Sequence, residues 1–252
     1  MIILLHSSKT MRVPTAGTQP SGTPVLVDRA AELIDRLRRL TPAELAGAMT
    51  ISPDLAEKTR TQYVDWSPEP AVAAAEAFVG DIYSGLRVDS FGPADRRYAD
   101  THMRILSGLY GILRPFDGIN PYRLEMGYRL PGLNLYQFWG DAIAEQLPAR
   151  GRIVNLAAAE YSRTVTRYVD ADRVVTPKFL TVDPKTGQPK FIVVHAKIAR
   201  GAFARWLVTE RADDLTGFAD IGYRYDPALS SDREPVFVCA EFGGKGLSVR
   251  LT

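Results

Sequence analysis

The sequence predicts an α+β fold, with a mixed sheet flanked by helices in a single domain over residues 1–252. Three observations carry this. Apolar residues recur at helical spacing through much of the first half, short β-like runs crowd the second, and no linker separates them.

The elements follow in order. Residues 2–6 form a short apolar run ending in His6-Ser7-Ser8-Lys9-Thr10, which reads as a buried strand entering a polar loop. Residues 12–24, rich in Pro, Gly and Thr, read as a surface loop. Leu26, Ala30, Leu33, Leu37 and Leu40 place a helix near 25–40. Thr41-Pro42-Ala43-Glu44 is a capping box with proline at the first helical position, and Ser52-Pro53-Asp54 opens another short helix. Residues 70–79 read as an alanine-rich helix stopped by Gly80, and Gly92-Pro93 opens a helix to about Leu106. Leu135–Leu147 is expected to be helical. Beyond it, residues 152–157, 173–182, 190–195, 221–226 and 235–240 are β-like, with a hairpin turn at Asp183-Pro184-Lys185-Thr186-Gly187. Residues 196–211 have an amphipathic helical pattern. The first strand and the 173–195 hairpin are expected to share one sheet.

Composition excludes several classes. With 46% hydrophobic and 24% charged residues, the chain is neither disordered nor short of a core. No run approaches the roughly 20 apolar residues that span a bilayer, and no signal-peptide pattern is visible. Cys239 is the single cysteine, so no intramolecular disulfide can form and a cytoplasmic setting without membrane association is expected. His6, His102 and His195 form no metal-ligand spacing, so neither a metal site nor a cofactor is expected.

Five features could carry chemistry. Ser7-Ser8-Lys9-Thr10 offers hydroxyls and an ammonium at a strand end, either a phosphate-binding loop or a solvated one. Gly108-Leu109-Tyr110-Gly111 has the shape of a helix-hairpin-helix turn, or of a plain helix cap, and Arg114-Pro115 follows. Tyr122-Arg123-Leu124-Glu125 sets a cation and a carboxylate two residues apart, on one face of an extended segment, as a structural pair or as part of a site. Asn155-Leu156-Ala157-Ala158-Ala159-Glu160 takes a strand into a polar turn, a common place for sites in α/β proteins. The fifth is charge: residues 150–211 hold twelve basic and five acidic side chains, net +7 in a chain of net +2. On the 196–211 helix, Lys197, Arg200, Arg205 and Arg211 fall on one arc, a basic stripe for phosphate or nucleic acid or a solvated face.

Ser107-Gly108-Leu109-Tyr110-Gly111-Ile112-Leu113-Arg114-Pro115, Pro121-Tyr122-Arg123-Leu124-Glu125-Met126-Gly127 and Phe138-Trp139-Gly140-Asp141 resemble the core of the YaaA peroxide-stress family. Asn155-Leu156-Ala157, Glu160-Tyr161, Lys197-x-x-Arg200-Gly201 and Thr216-Gly217-Phe218 extend the resemblance over nearly the whole chain. It implies a single α+β domain with a basic cleft, and a role in peroxide stress through lower free iron and less iron-dependent DNA damage. It also implies double-stranded DNA binding through a helix-hairpin-helix, which would fall on Ser107–Arg114. This sequence departs from the family pattern at His6, at Ala158 and Ala159, at Ile221, and in the tail Gly243-Gly244-Lys245-Gly246.

Two functions are therefore expected as alternatives: a DNA-binding stress protein without turnover, or an enzyme acting on a phosphorylated or nucleotide-like small molecule, recruited to a biosynthetic pathway. The candidate catalytic residues are Lys9, Glu125 and Glu160. The candidate binding residues are Thr10, Arg114, Tyr122, Arg123, Asn155, Lys197 and Arg200. Lys9, Arg123, Glu125 and Glu160 are expected to line one cleft, with Arg114 and Lys197 at its walls.

Overall fold

The computed structural model describes residues 1–13 and 19–245. Part of the 12–24 loop, and Gly246 of the glycine-rich tail, lie outside the described residues. The chain begins with β1 (Ile2–His6), β2 (Thr10–Met11), α1 (Val27–Leu37), α2 (Pro42–Met49) and α3 (Pro53–Val64). It continues with β3 (Val72–Ala73), α4 (Ala74–Ala77), β4 (Phe78–Val79), α5 (Asp81–Leu86), α6 (Pro93–His102), β5 (Met103–Ser107), β6 (Gly111–Leu113) and β7 (Gly118–Ile119). Then come α7 (Leu135–Trp139), β8 (Ile153–Asn155), α8 (Ala159–Thr166), β9 (Val174–Val175), β10 (Lys178–Val182), β11 (Pro189–Lys190), α9 (Val193–Glu210), β12 (Tyr223–Tyr225) and β13 (Val236–Cys239).

The main sheet has the order β6-β5-β1-β8-β9, with β1 parallel to both β5 and β8. All of β1 is buried, as its unbroken apolar run requires of a central parallel strand. A second sheet, β11-β10-β13-β12, is carried by the C-terminal part. One continuous buried cluster runs from Ile2 to Cys239. The fold is α+β, as the sequence predicts.

Local signals succeed where they are chemical. Thr41 and Glu44 close the capping box at α2, and Ser52 caps α3. Several apolar runs fold differently from the pattern expected of them. Residues 70–79 are not one helix: β3 pairs with β7 and β4 with β2, leaving a single turn at α4 whose first amides donate to Asp117 and Pro115 carbonyls. The helix opened by Pro93 ends at His102, because Met103–Ser107 pairs beside β1. Gly140, at φ 52°, stops the helix begun at Leu135 after Trp139. Val193 and Val194 are the start of α9 rather than strand. The predicted common sheet is also divided. Val174–Val175 joins β8 in the main sheet, but Pro177 follows, and Lys178–Val182 pairs with β13 in the second sheet.

The segment Ser107–Arg114 is a β-hairpin, not a helix-hairpin-helix. Its turn is interior. Leu109 and Tyr110 are buried, the Gly108 carbonyl accepts the Trp139 indole N–H at 3.0 Å, and a Cβ on Gly108 would lie 2.4 Å from the Leu124 carbonyl oxygen. Backbone amides in such a turn cannot meet a DNA phosphate.

Candidate functional site at the carboxyl edge of the main sheet

β1 continues to β5 on one side, whereas β8 continues to β9 on the other. Their carboxyl ends therefore flank the crevice where strand order reverses, the usual ligand position in open parallel sheets. His6-Ser7 leaves β1 here and Leu156–Ala158 leaves β8.

His6 sits deepest. Its Nδ1 accepts the Ala158 amide N–H at 3.2 Å, and its ring stacks on Tyr161 with centroids 4.9 Å apart. An Nδ1 that accepts a hydrogen bond carries no proton, so the neutral ring bears its hydrogen on Nε2. Burial, with help from the Arg200 and Lys197 charges, holds His6 down to about 3. His6 is thus a fixed neutral donor whose Nε2–H has no partner among the described residues.

Lys197 and Arg200 reach this point through a close helix crossing. α9 lies on α5 with glycine at both contact positions: a Cβ on Gly201 would come 1.8 Å from the Ile82 carbonyl oxygen, and one on Gly85 2.1 Å from that of Ile198. Tyr83 of α5 donates to the His6 carbonyl at 2.9 Å, tying the crossing to the end of β1. Neither Lys197 nor Arg200 has a carboxylate partner among the described residues, and burial pushes the Arg200 guanidinium below its ordinary value. The first-turn amides of Ala159 and Glu160 at the start of α8 are also unclaimed by backbone.

A second group lies alongside. Lys9 Nζ meets Glu125 Oε2 at 2.8 Å, and Arg123 Nη1 donates to the Lys9 carbonyl at 3.3 Å. The Glu125 contact raises the Lys9 ammonium above its ordinary value, so Lys9 rests as a cation and not as a free amine nucleophile. Arg123 Nε and the Tyr128 hydroxyl are both buried beside this pair and face each other. Glu160 Oε1 accepts the Gly127 amide at 2.7 Å, and its Oε2 has no partner among the described residues. A Cβ on Gly127 would stand 2.9 Å from Glu160 Oε1, so a side chain there would displace this carboxylate. The Tyr161 hydroxyl accepts from Ser7 at 3.4 Å and feels both Glu125 and Glu160, which links the two groups.

The remaining predicted residues divide. Thr10 is exposed on β2 beside Lys9. Tyr122 is a buried wall residue bonded to Ser107 at 2.7 Å. Asn155 braces the turn after β8, accepting from the Ala157 amide and donating to Thr176. Arg114 is no wall of this cleft. It follows β6 one step beyond the Ile105–Leu113 pair, toward the amino end of β5, and its ion-pair partner there is Asp100 at 3.8 Å. The basic stripe is also broken: Arg205 pairs with Asp220, and Arg211 pairs with Asp95 at 2.8 Å and lies over the Tyr98 ring. Sequence reasoning missed His6, Tyr128 and Tyr161 as site residues; the available signal was a histidine closing an otherwise wholly apolar strand.

Comparison with known proteins matches almost the whole chain. The family described as Peroxide stress protein YaaA matches residues 1–229. A UPF0246 protein of Salinispora tropica is 59% identical, covering 99% of this chain and 98% of its own length. UPF0246 proteins of Cupriavidus metallidurans and Burkholderia vietnamiensis are 44% and 45% identical, each covering 94% of this chain and 98% of its own length. A match across almost the whole chain, together with relatives this similar from end to end, shows that the protein belongs to the YaaA peroxide stress protein family.

Proposed function

We propose that this protein serves its family's peroxide-stress role by binding a small phosphorylated, nucleotide-like molecule in the crevice between β1 and β8. One observation carries the reading: Arg200 and Lys197, without acid partners among the described residues, face a neutral His6 that still has a hydrogen to donate. An arginine half-removed from water and left unpaired is costly, and an anionic group would complete it. The Nε2–H of His6 and the open amides of α8 supply directed donors to phosphate oxygens beside these charges. Arg123 and Tyr128, which face each other beside Lys9 and Glu125, offer further polar contacts for the rest of the ligand.

In this arrangement Lys9, held by Glu125, orients and neutralises rather than attacks. Glu160 is the carboxylate at the crevice whose Oε2 has no partner among the described residues, placed to accept a proton if the bound molecule reacts. Limiting iron-dependent damage would then follow from what the ligand does in the cell. Double-stranded DNA is the other expected partner. It loses its two structural supports, the buried hairpin turn and the interrupted stripe.

The test is calorimetric titration with ADP, UMP, inorganic pyrophosphate and a short DNA duplex, repeated with Lys197→Ala and Arg200→Met. Saturable binding of a phosphorylated small molecule, weakened about tenfold or more by either substitution, is expected. Duplex binding lost in the same variants, with no small-molecule heat, would replace this reading by the nucleic-acid one.

A further inference from the structure

At the amino end of β5, away from the crevice, a cavity of about 330 Å³ opens between Arg104, Arg114, Asp117 and Gln146. Buried Ile112 and Leu113 and the exposed Val25 give it an apolar part of its lining. Arg104 lies opposite Arg114, one step beyond the last pair of the β5–β6 ladder. Like charges directly opposite on neighbouring strands repel, so this pair disfavours the empty hairpin end.

The carboxylates nearby leave that repulsion incompletely answered. Asp100 Oδ2 is 3.8 Å from Arg114 Nη1, an ion pair too long for a hydrogen bond. Arg104 Nη1 is spent on the Asp100 and Met103 carbonyls, at 2.9 and 2.6 Å, but its Nε and Nη2 have no partner among the described residues. Asp117 Oδ2 accepts the Arg114 backbone amide at 2.8 Å. Burial pushes Asp117 up to about 6, so it is still largely ionised at pH 7 and loses its charge as pH falls through about 6. A Cβ on Gly22 would come 2.6 Å from Asp117 Oδ1, so glycine there leaves the carboxyl room. Gln146 donates to the Ala142 carbonyl at 3.3 Å.

We infer that this cavity is a second ligand site, separate from the crevice, which takes a small oxyanion through the paired guanidiniums of Arg104 and Arg114. The ligand class is a compact molecule bearing a carboxylate or a tetrahedral oxyanion, with a short apolar portion against Val25 and Ile112. The volume holds about ten waters at ~30 Å³ each, the size of a small acid and not of a nucleotide. Planar forked donors on two adjacent segments suit bidentate contact with such a group.

The site has a built-in pH dependence. The groups facing Asp117 are Asp100, Arg104 and Arg114. An anion beside Asp117 is repelled while that carboxyl is ionised. Affinity therefore rises as pH falls through about 6 and levels off below it.

The experiment titrates the full chain calorimetrically with sulfate and with malonate, and repeats the sulfate titration at pH 8 and pH 5.5, where sulfate keeps its charge. Saturable binding is expected, severalfold tighter at the lower pH. Arg114→Met, whose side chain is largely exposed and whose loss leaves the fold intact, weakens it at least tenfold. Asp117→Asn tightens binding at pH 8 and removes most of the pH dependence. Lys197→Ala leaves it unchanged, which separates this site from the crevice. A preference between sulfate and malonate tells tetrahedral from carboxylate ligands. Absence of binding to both anions, or binding indifferent to Arg114→Met, overturns the inference.

Discussion

At the scale of single residues, His6 has the largest electrostatic consequence. Folded, it titrates at about 3 against an ordinary 6.5, because burial and two neighbouring cations oppose its charge. Between those values the unfolded chain takes up a proton that the folded chain refuses. Stability is thus full above pH 6.5 and declines as pH falls toward 3. The expected loss from this group between pH 7 and pH 5 is about 2 kcal/mol. Denaturant unfolding at both pH values checks it: His6→Gln should lose about 2 kcal/mol less than the parent over that interval. Equal losses in the two proteins would mean that His6 titrates normally. Nitrogen NMR adds an independent reading, with an unprotonated Nδ1 and a protonated Nε2 expected throughout pH 5–8. Cys239 and Ile221 are residue-scale features of another kind. The thiol is buried and its proton held more tightly by that burial, while Ile221 adopts φ 47° beside it, a conformation that β-branched side chains rarely take.

At the scale of elements, the α5–α9 crossing decides where the basic residues go. Both contact glycines face backbone, which cannot swing aside as a side chain can. Gly201→Ala should lower stability by about 3 kcal/mol and weaken pyrophosphate binding, because α9 must lift Lys197 and Arg200 away from His6. Gly47 is the contrast. It lies exposed within α2, and a Cβ there would meet nothing within 4 Å, so Gly47→Ala should raise stability by about 0.5–1 kcal/mol and leave binding alone. Thermal melts of both variants, with calorimetry, check the pair; similar shifts would show that the crossing is not tight. The same helix explains why a stripe read from sequence failed as a surface. An angular arc tells which side chains share a face, but not that Asp95 and Asp220 from other segments meet Arg211 and Arg205 there.

At the scale of the whole molecule, the two sheets are joined by very short chain, from Val175 to Lys178, and by α9, which contacts both α5 and β10. A single buried cluster includes residues of both sheets. We therefore expect one cooperative unfolding transition, coincident by far-ultraviolet circular dichroism and tryptophan fluorescence; two separated transitions would divide the chain into independent units. The fold class, the caps of α2 and α3 and the buried first strand were all legible in the sequence, because each rests on local chemistry or on a spacing that the backbone period converts directly into geometry. Short apolar runs were not: residues 70–79 and 103–107 look alike as helix or strand until a partner strand accepts their hydrogen bonds. Nor could the sequence separate Arg114 from Lys9, or bring Arg200 to His6. Those distances depend on strand order and on a helix crossing, and such long-range pairings are settled by which apolar faces bury one another, a choice that only the tertiary structure makes.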